Sequence, residues 1–538
     1  MKTLSDLITV SGRRFGPRAA MTLAREGNSE NWTYGDLYRY ARRVAQLLQM
    51  QGIAPGDRVI IWAPNGPRWV GSFFGCVLAG VVVVPLDVKS SAEFVGKIAA
   101  QTEPRLLITT QSSASSPDLP PIPCQAVEDL DAALPEDDPD WTPHAVQPDD
   151  MAELVFTSGT TGAPKGVMLS HGNILSDLEA AKKELGDLEA IYKIHTSTRI
   201  FRMLSLLPLS HMFEQIAEMF YVLSIGAAIT YVDSLQPSTI FKAMREGAVT
   251  GIPVVPQVLG LFMTGLEREV RKQGKWTSWE RGQRIAPYLP IFLRRLLFRD
   301  IHARLGGRLD FFICGGAYLD PALAQKWENL GIKVVTGYGM TETSPIVAMN
   351  SLARRNLNSV GKVLSCNEVR IASDGEILVR GSNVTRGYWR NEEATADAFE
   401  DGWYKTGDFG QLDAEGYLYF KGRKKNLIVL SNGMNVYPED IENALTQQDG
   451  VNDAVVVGRE VNNDVELHAL LLLGHTADPE AIVKNVNRKL AAHQRLKGYF
   501  VWPERDFPRT HTLKPKRDEM LRTFEAARLR CASSRISR

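Results

Sequence analysis

The sequence predicts an α/β fold: a large N-terminal domain of helix-covered, mainly parallel sheets carrying a β-subdomain, then a small α+β domain at the C-terminus. Three observations lead there. Helical and strand patterns alternate through most of the chain, the arrangement that builds parallel sheets covered by helices. From residue 376 the texture turns to short aromatic and β-branched runs separated by turn residues. The length, 538 residues, exceeds the roughly 250–300 at which a single core stops growing.

Along the chain, residues 34–51 space their apolar side chains as a helix, and 58–63 (RVIIWA) read as a strand. Residues 69–86, WVGSFFGCVLAGVVVVPL, are 18 residues without a charge, the length of a membrane span. Gly80 and the β-branched run before Pro85 instead divide them into a buried helix feeding a buried strand. Further strands are expected at 105–109, 229–232 and 310–314, and the acidic, proline-rich piece 117–150 reads as an exposed connection between lobes. The strand beginning at Glu153 runs into a loop, with a helix after Ser170. The β-subdomain holds GEILVRG from Gly375 and DGWYKTGDFGQLDAEGYLYFKGR from Asp401. Beyond 425 come a helix near Pro438, strands at 454–457 and 466–473, and a helix at 479–492. The domain boundary therefore falls near 425.

Hydrophobic residues are 44% and charged residues 23%, which excludes a disordered or fibrous chain. Lys plus Arg and Asp plus Glu are 62 each, so no global field draws in nucleic acid. Cys76, Cys124, Cys314, Cys366 and Cys531 are scattered without a Cys-x-x-Cys pair, against a disulfide framework or a zinc site and in keeping with a reducing compartment. The N-terminal MKTLSDLITVSGRRFG lacks the apolar stretch of a secretory signal, so a cytoplasmic protein is expected.

Residues 153–165, ELVFTSGTTGAPK, carry the densest chemical signal. Gly159 and Gly162 let backbone N–H groups curl around an anion, Thr157, Ser158, Thr160 and Thr161 add hydroxyl donors, and Lys165 adds positive charge. The Walker form is absent, because no Gly-Lys is followed by Ser or Thr here. A phosphate-binding loop is expected.

TSGTTGAPKG at 157–166 resembles the signature of the adenylate-forming (AMP-binding) superfamily, which includes acyl-CoA synthetases, peptide-synthetase adenylation domains and luciferases. GYGMTET at 337–343, YKTGD at 404–408, GRKK at 422–425 and THTLK at 510–514 follow in that family's order and approximate spacing. The resemblance implies residues 1–424 as an ATP- and acyl-binding domain and 425–538 as a small, mobile lid with its hinge at Lys425. It implies ATP-driven activation of a carboxylic acid to an acyl-adenylate, with pyrophosphate released and the acyl group then passed to the thiol of coenzyme A. Thr341 matches a contact to the α-phosphate, and Glu342 matches a Mg2+ ligand, in keeping with magnesium's preference for carboxylate and phosphate oxygens. Tyr338 matches the aromatic against adenine, with Gly315, Gly316 and Ala317 on the other side, while Cys314 before them reads as a small buried hydrophobe. Asp408 and Arg423 match contacts to the ribose. Lys514 matches the catalytic lysine of the first half-reaction, although Leu513 stands where a glycine is usual and Lys516 is an alternative. After lid rotation, Ser431, Asn432 and Gly433 would face the coenzyme A side. His211, in LPLSHMFE, matches a residue at the mouth of the acyl pocket.

The stretches matching the acyl-pocket walls, 204–209, 221–228 and 251–261, contain no charged residue, which favours an aliphatic or aryl acid over an amino acid. LPLSHMFE and GRKKNLIVLSNGMNVYPEDIE most resemble long-chain fatty acyl-CoA synthetases, so a medium- to long-chain fatty acid is expected. Transfer to an acyl carrier protein stays open as the alternative to coenzyme A. Residues 271–308 hold ten Arg or Lys against Glu280 and Asp300, among leucines and aromatics. Such a segment can lie on the inner face of an anionic membrane or simply form an amphipathic surface helix, with Arg294, Arg295 and Arg299 the cations to reverse.

Overall fold

The computed structural model describes all residues except 26–28, 159–163, 187–200, 433, 462–463, 475–476, 510–514 and 537–538, together with the side chains of 158 and 529–536. The chain divides into two compact units. The larger takes Met1–Val369, Val379–Lys405 and Asp413–Leu418, and the smaller takes Arg370–Leu378, Thr406–Leu412 and Tyr419–Arg538.

The large unit is an α/β body with two mainly parallel sheets. One runs Cys124–Ala126, Leu106–Thr109, Arg58–Trp62, Val82–Pro85, Met151–Ser158 and Pro164–Ser170 in spatial order, parallel until its last strand turns back antiparallel. The other places Lys333–Gly339, Phe311–Cys314, Gly251–Val254, Arg202–Ser205, Ala228–Val232 and Ala19–Ala24 side by side in parallel, with antiparallel strands outside them. Both sheets read as apolar runs because helices cover both of their faces.

The uncharged run at 69–86 becomes the helix Pro67–Leu78, the turn at Gly80 and the strand Val82–Pro85. From Trp69 to Leu78 every helical side chain is buried, as an all-round apolar helix requires. Among the described residues no helix is long and apolar enough to cross a membrane. The piece 117–150 is more than an exposed connection. Cys124–Ala126 pairs parallel with Leu106–Thr109 as an edge strand, and Leu130 and Leu134 are buried. Arg42, Arg43 and Arg68 reach this piece at Asp137, the Pro135 carbonyl and Asp131. Its acidic residues are thus ligands for distant arginines, which composition alone does not reveal.

The small unit has its own core. Val451–Val461 and Asp464–Leu473 pair antiparallel, and Gly498–Val501 adds a parallel third strand that the sequence reading passed over. Alternate residues face opposite layers: Ala454 and Val456 pack with Ile441, Leu445, Ile482 and Val486, whereas Val455 and Val457 pack with Met520 and Phe524. The helices Pro438–Thr446 and Pro479–Asn487 cover one face and Arg517–Ile536 the other.

Candidate active site

The phosphate-loop segment is the tip of a hairpin. Met151–Ser158 and Pro164–Ser170 pair antiparallel, with Thr157 opposite Lys165 and Ser158 opposite Pro164. Gly159, Thr160, Thr161 and Gly162 lie outside the described residues. A third strip runs along the returning strand: the Met168 N–H donates to the Gly387 carbonyl at 3.1 Å, and the Trp389 N–H to the Gly166 carbonyl at 2.8 Å. That register sets Tyr388 beside Val167. Its hydroxyl donates to Glu342 Oε1 at 2.9 Å, and Lys165 Nζ sits 5.2 Å from the centroid of the same ring. One tyrosine therefore joins the loop lysine to the acidic residue of the GYGMTET motif.

Glu342 lies in the short helical turn Thr341–Thr343 and is buried. Burial pushes its carboxyl pKa up, against the opposing pull of Tyr388, Tyr404 and Lys165. The turn is held from several sides. The Thr385 N–H donates to the Glu342 carbonyl at 2.8 Å. Asn383 Nδ2 donates to the Thr343 and Ile346 carbonyls at 2.7 and 2.9 Å and to Asp177 Oδ1 at 3.0 Å. Asp177 also accepts from the Ile346 N–H at 3.0 Å, and burial pushes its pKa well up. A buried carboxyl gripped by neutral donors, with one ammonium nearby, suits a hard divalent cation shared with phosphate oxygens.

Tyr338 is half-buried near the end of Lys333–Gly339, opposite Ala348. The turn after Phe311–Cys314 needs its glycines: a Cβ on Gly315 would lie 3.1 Å from the Phe213 ring, and Gly316 has φ of 81°. Ala317 is exposed, and Cys314 is buried with its thiol pKa raised by burial, as a packed hydrophobe should be. His211 is half-buried at the head of the short helix Met212–Glu214, and the fully buried π-helix Gln215–Phe220 follows.

The small unit brings Asp408 and Arg423 together, with Arg423 Nε 3.8 Å from Asp408 Oδ1. Beside them Glu376 accepts from the Gly407 N–H at 2.9 Å and from Lys424 Nζ at 2.7 Å, which fixes the turn that carries Asp408. Lys425 lies in the short turn Lys424–Asn426; burial of its ammonium and the neighbouring Arg423 push its pKa down, although the side chain as a whole is exposed. Ser431 and Asn432 are exposed in the loop of the hairpin Ile428–Val429 and Asn435–Val436, and the Ser431 hydroxyl accepts from the Val465 N–H at 3.2 Å. Gly433 and the whole THTLK motif with Lys514 lie outside the described residues. Lys516 pairs with Glu519 at 3.3 Å just before and within the last helix.

The sequence reading missed Tyr388, Tyr404, Asp177 and Asn383. The only local hint was GYW at 387–389, an aromatic pair behind a glycine. It also missed the acids between its apolar stretches: Glu214 and Glu218 are buried, and Ser205 Oγ donates to Glu218 at 2.6 Å. Burial raises the Glu218 pKa to about 8 and drives that of Glu214 well up.

The chain matches a family model described as AMP-binding enzyme over residues 9–389 and one described as AMP-binding enzyme C-terminal domain over 425–527. It is 32% identical over 454 residues to a long-chain-fatty-acid–CoA ligase of Mycobacterium tuberculosis, covering 78% of this chain and 73% of that protein. It is 30% identical over 470 residues to a feruloyl-CoA synthase of an Amycolatopsis species, covering 83% of each. Among solved structures, o-succinylbenzoate CoA synthetase of Bacillus subtilis with its acyl-adenylate intermediate superposes with a TM-score of 0.78 at 25% identity, covering 96% of this chain and 97% of that one. The same enzyme with ATP and a magnesium ion gives a TM-score of 0.77 at 25% identity, covering 95% and 98%.

Proposed function

The chain belongs to the AMP-binding enzyme family, and from that premise we propose that it activates a medium- to long-chain fatty acid as its acyl-adenylate and transfers the acyl group to coenzyme A. Adenylate-forming acyl-CoA ligase chemistry is the family's common ground with its relatives. The observation that carries the reading is the junction of Lys165, Tyr388 and Glu342, where loop cation and buried acid meet on one ring.

In the first half-reaction an oxygen of the acid's carboxylate attacks the α-phosphorus of ATP. The P–O bond to the β-phosphate breaks and pyrophosphate leaves, so negative charge gathers on phosphate oxygens. Thr157, Ser158, Gly159, Thr160, Thr161, Gly162 and Lys165 are assigned to the phosphates, Thr341 to the α-phosphate, and Lys514 to the space between two mutually repelling anions. Glu342 would hold Mg2+, which supplies charge neutralisation at the phosphates. Tyr388 orients that carboxyl, and a cation beside it would offset the cost that burial puts on its charge. Tyr338 with Gly315, Gly316 and Ala317 is assigned to adenine, Asp408 with Arg423 to the ribose, and His211 to the acyl entrance. In the second half-reaction the thiolate of coenzyme A attacks the acyl carbonyl and AMP leaves. Lys425 is assigned as the hinge of a lid formed by 425–538, and Ser431, Asn432 and Gly433 to the coenzyme A side.

The fatty-acid assignment rests on the uncharged stretches 204–209, 221–228 and 251–261, of which 204–206, 209, 221–228, 251–254 and 259 are buried. The test is AMP release from ATP, Mg2+ and a panel of straight-chain, hydroxycinnamic and other aryl acids, with coenzyme A or holo acyl carrier protein as acceptor. Highest kcat/KM on a fatty acid with coenzyme A supports the reading. Preference for an aryl acid or for the carrier protein replaces the corresponding half of it. Lys514→Ala should lower adenylation about 1000-fold while sparing thioester formation from preformed acyl-adenylate.

A surface feature supports peripheral membrane contact at the acid's source. Tyr288, Phe292, Leu296 and Leu297 are 87%, 69%, 63% and 49% exposed within one stretch. Trp279 and Phe298, edge to face at 5.6 Å, anchor that stretch to the core. Two of the three arginines named for charge reversal face inward: Arg294 donates to the Leu289 and Glu328 carbonyls, and Arg295 pairs with Asp310 at 2.8 Å. Exposed cations nearest in sequence to these apolar side chains include Arg281, Arg284 and Arg299. Sedimentation with anionic vesicles at low and high salt should show binding that is lost on reversing these three to Glu. Wild-type protein left in the supernatant at low salt would end the idea.

A further inference from the structure

Gln215 is the first residue of the π-helix Gln215–Phe220, a rare geometry that concentrates at functional sites. Its side chain is fully buried, and one nitrogen, Nε2, donates both to Glu153 Oε2 and to the Leu209 carbonyl, each at 3.0 Å. Its backbone N–H donates to the His211 carbonyl at 3.2 Å. Glu153, fully buried, lies on Met151–Ser158 between Val83 and Leu169, on the strand that ends at Thr157 opposite Lys165. The remaining oxygens, Glu153 Oε1 and Gln215 Oε1, have no hydrogen-bond partner among the described residues.

As packing this is a poor arrangement. A buried carboxyl costs stability that an apolar side chain of the same volume would not, and a half-satisfied polar pair adds to the cost. As a connection it is direct. The LPLSH segment, assigned above to the acyl side, and the hairpin that presents Thr157 and Lys165 are joined through a single amide.

We propose that Gln215 and Glu153 form a positioning pair that couples the acyl side of the site to the phosphate hairpin, so that a bound acid tightens ATP binding through the Leu209–Gln215–Glu153 contact. This rests on the assignment of both segments made under the proposed function. Neither residue touches a substrate. A shift of the Leu209 carbonyl when acid fills the adjacent wall moves the amide and, with it, the strand four residues before Thr157.

The test is the effect of acid on the KM for ATP in the adenylation half-reaction, read as pyrophosphate release by the full-length protein. The fatty or aryl acid used is the one that works best in the panel above. In wild type, saturating acid should lower that KM about 5-fold or more, the usual lower range of site-to-site coupling. Gln215→Leu and Glu153→Leu should abolish the effect while changing kcat less than KM. Glu153→Gln, whose amide oxygen still accepts from Gln215, should retain it. A purely packing role would instead change the melting temperature and leave the acid's effect intact. Should the leucine variants fail to fold, Glu153→Asp, one methylene short of Gln215, serves in their place. Wild-type coupling in any folded variant lacking the bond, loss of coupling in Glu153→Gln, or no coupling in wild type overturns the proposal. Absence of AMP-forming turnover with every acid would overturn the functional reading itself, and the coupling with it, so the two failures are distinct.

Discussion

Around the candidate site of the large unit, buried acids are matched with neutral partners, whereas in the small unit they are matched with cations. Glu342 meets Tyr388, Glu153 meets Gln215, Glu218 meets Ser205 and Asp177 meets Asn383. In the small unit Glu442 meets Arg517 through two bonds of 2.6 and 2.8 Å, Glu376 meets Lys424, and the partly exposed Asp453 meets Arg509. The electrostatic outcome depends on burial as well as on the partner, since burial raises the Glu442 pKa too, against the pull of Arg517. Burial raises the pKa of all four large-unit acids, to about 8 for Glu153 and Glu218, because amides and hydroxyls offset little of the desolvation. A lowered pKa appears in the small unit where the acid is exposed: Lys424 and Arg509 hold the exposed Asp374 and Asp506 below the usual carboxylate range. A carboxyl matched with a cation is a fixed staple, while one matched with a neutral donor can still change charge when a cation or substrate arrives.

The largest effect should come from breaking a staple. Arg517→Leu leaves the mostly buried Glu442, which also accepts from the Val456 N–H at 2.7 Å, without its counter-ion. Removing one partner of such a pair costs about 3–5 kcal/mol. Differential scanning calorimetry should show the small unit melting earlier, with Arg517→Leu/Glu442→Leu recovering part of the loss. An unchanged transition would mean the pair is no staple.

Glu342→Gln tests the opposite class. The amide still accepts from Tyr388, so the fold should keep its melting temperature, but the negative charge is gone. Adenylation should fall about 100-fold, roughly 2.7 kcal/mol, and its dependence on Mg2+ should flatten. A large drop in melting temperature with residual activity intact would make Glu342 a structural acid like Glu442.

Glu218 gives the comparison a pH axis. Its folded pKa of about 8 lies above the ordinary carboxylate value, so the folded state holds the proton more tightly. Its contribution is fully present below about pH 4.5 and is lost as pH rises through about 8. Glu218→Gln, still able to accept from Ser205, should therefore stabilise the protein at pH 8 relative to pH 5 by about 3–4 kcal/mol. Denaturant midpoints of wild type and variant at the two pH values decide it, and parallel pH dependences would place the proton elsewhere.

The smallest effect belongs to Lys516. It is half exposed, as is Glu519 at 3.3 Å, and such pairs contribute about 0.5 kcal/mol or less. Lys516→Ala should leave both stability and adenylation within about 2-fold of wild type. A loss as deep as that expected of Lys514→Ala would exchange the roles of the two lysines.

Much was legible in the sequence by itself. The alternation of helix and strand, the split of residues 69–86 at Gly80, the helix after Ser170 and the burial of Cys314 all follow from periodicity and composition within a dozen or so residues. The motifs were legible for the same reason, since each is a short run whose backbone and side chains act together. The returning strand Pro164–Ser170, the edge strand Cys124–Ala126 and the strand Gly498–Val501 escaped, because their pairing partners rather than their own composition make them strands.

What only the tertiary structure decided is which acids are buried and what they meet. Tyr388 reaches Glu342 across 46 positions, Gln215 reaches Glu153 across 62 and Asn383 reaches Asp177 across 206. No local pattern marks such a pair, since a glutamate on a strand reads the same whether it faces water, an arginine or an amide. The sequence alone marked the segments proposed for phosphate, acid and thiol chemistry. The packing of distant segments determined the charge state of the groups that would carry it out, because desolvation and the identity of the nearest donor depend on what the rest of the chain places around each carboxyl.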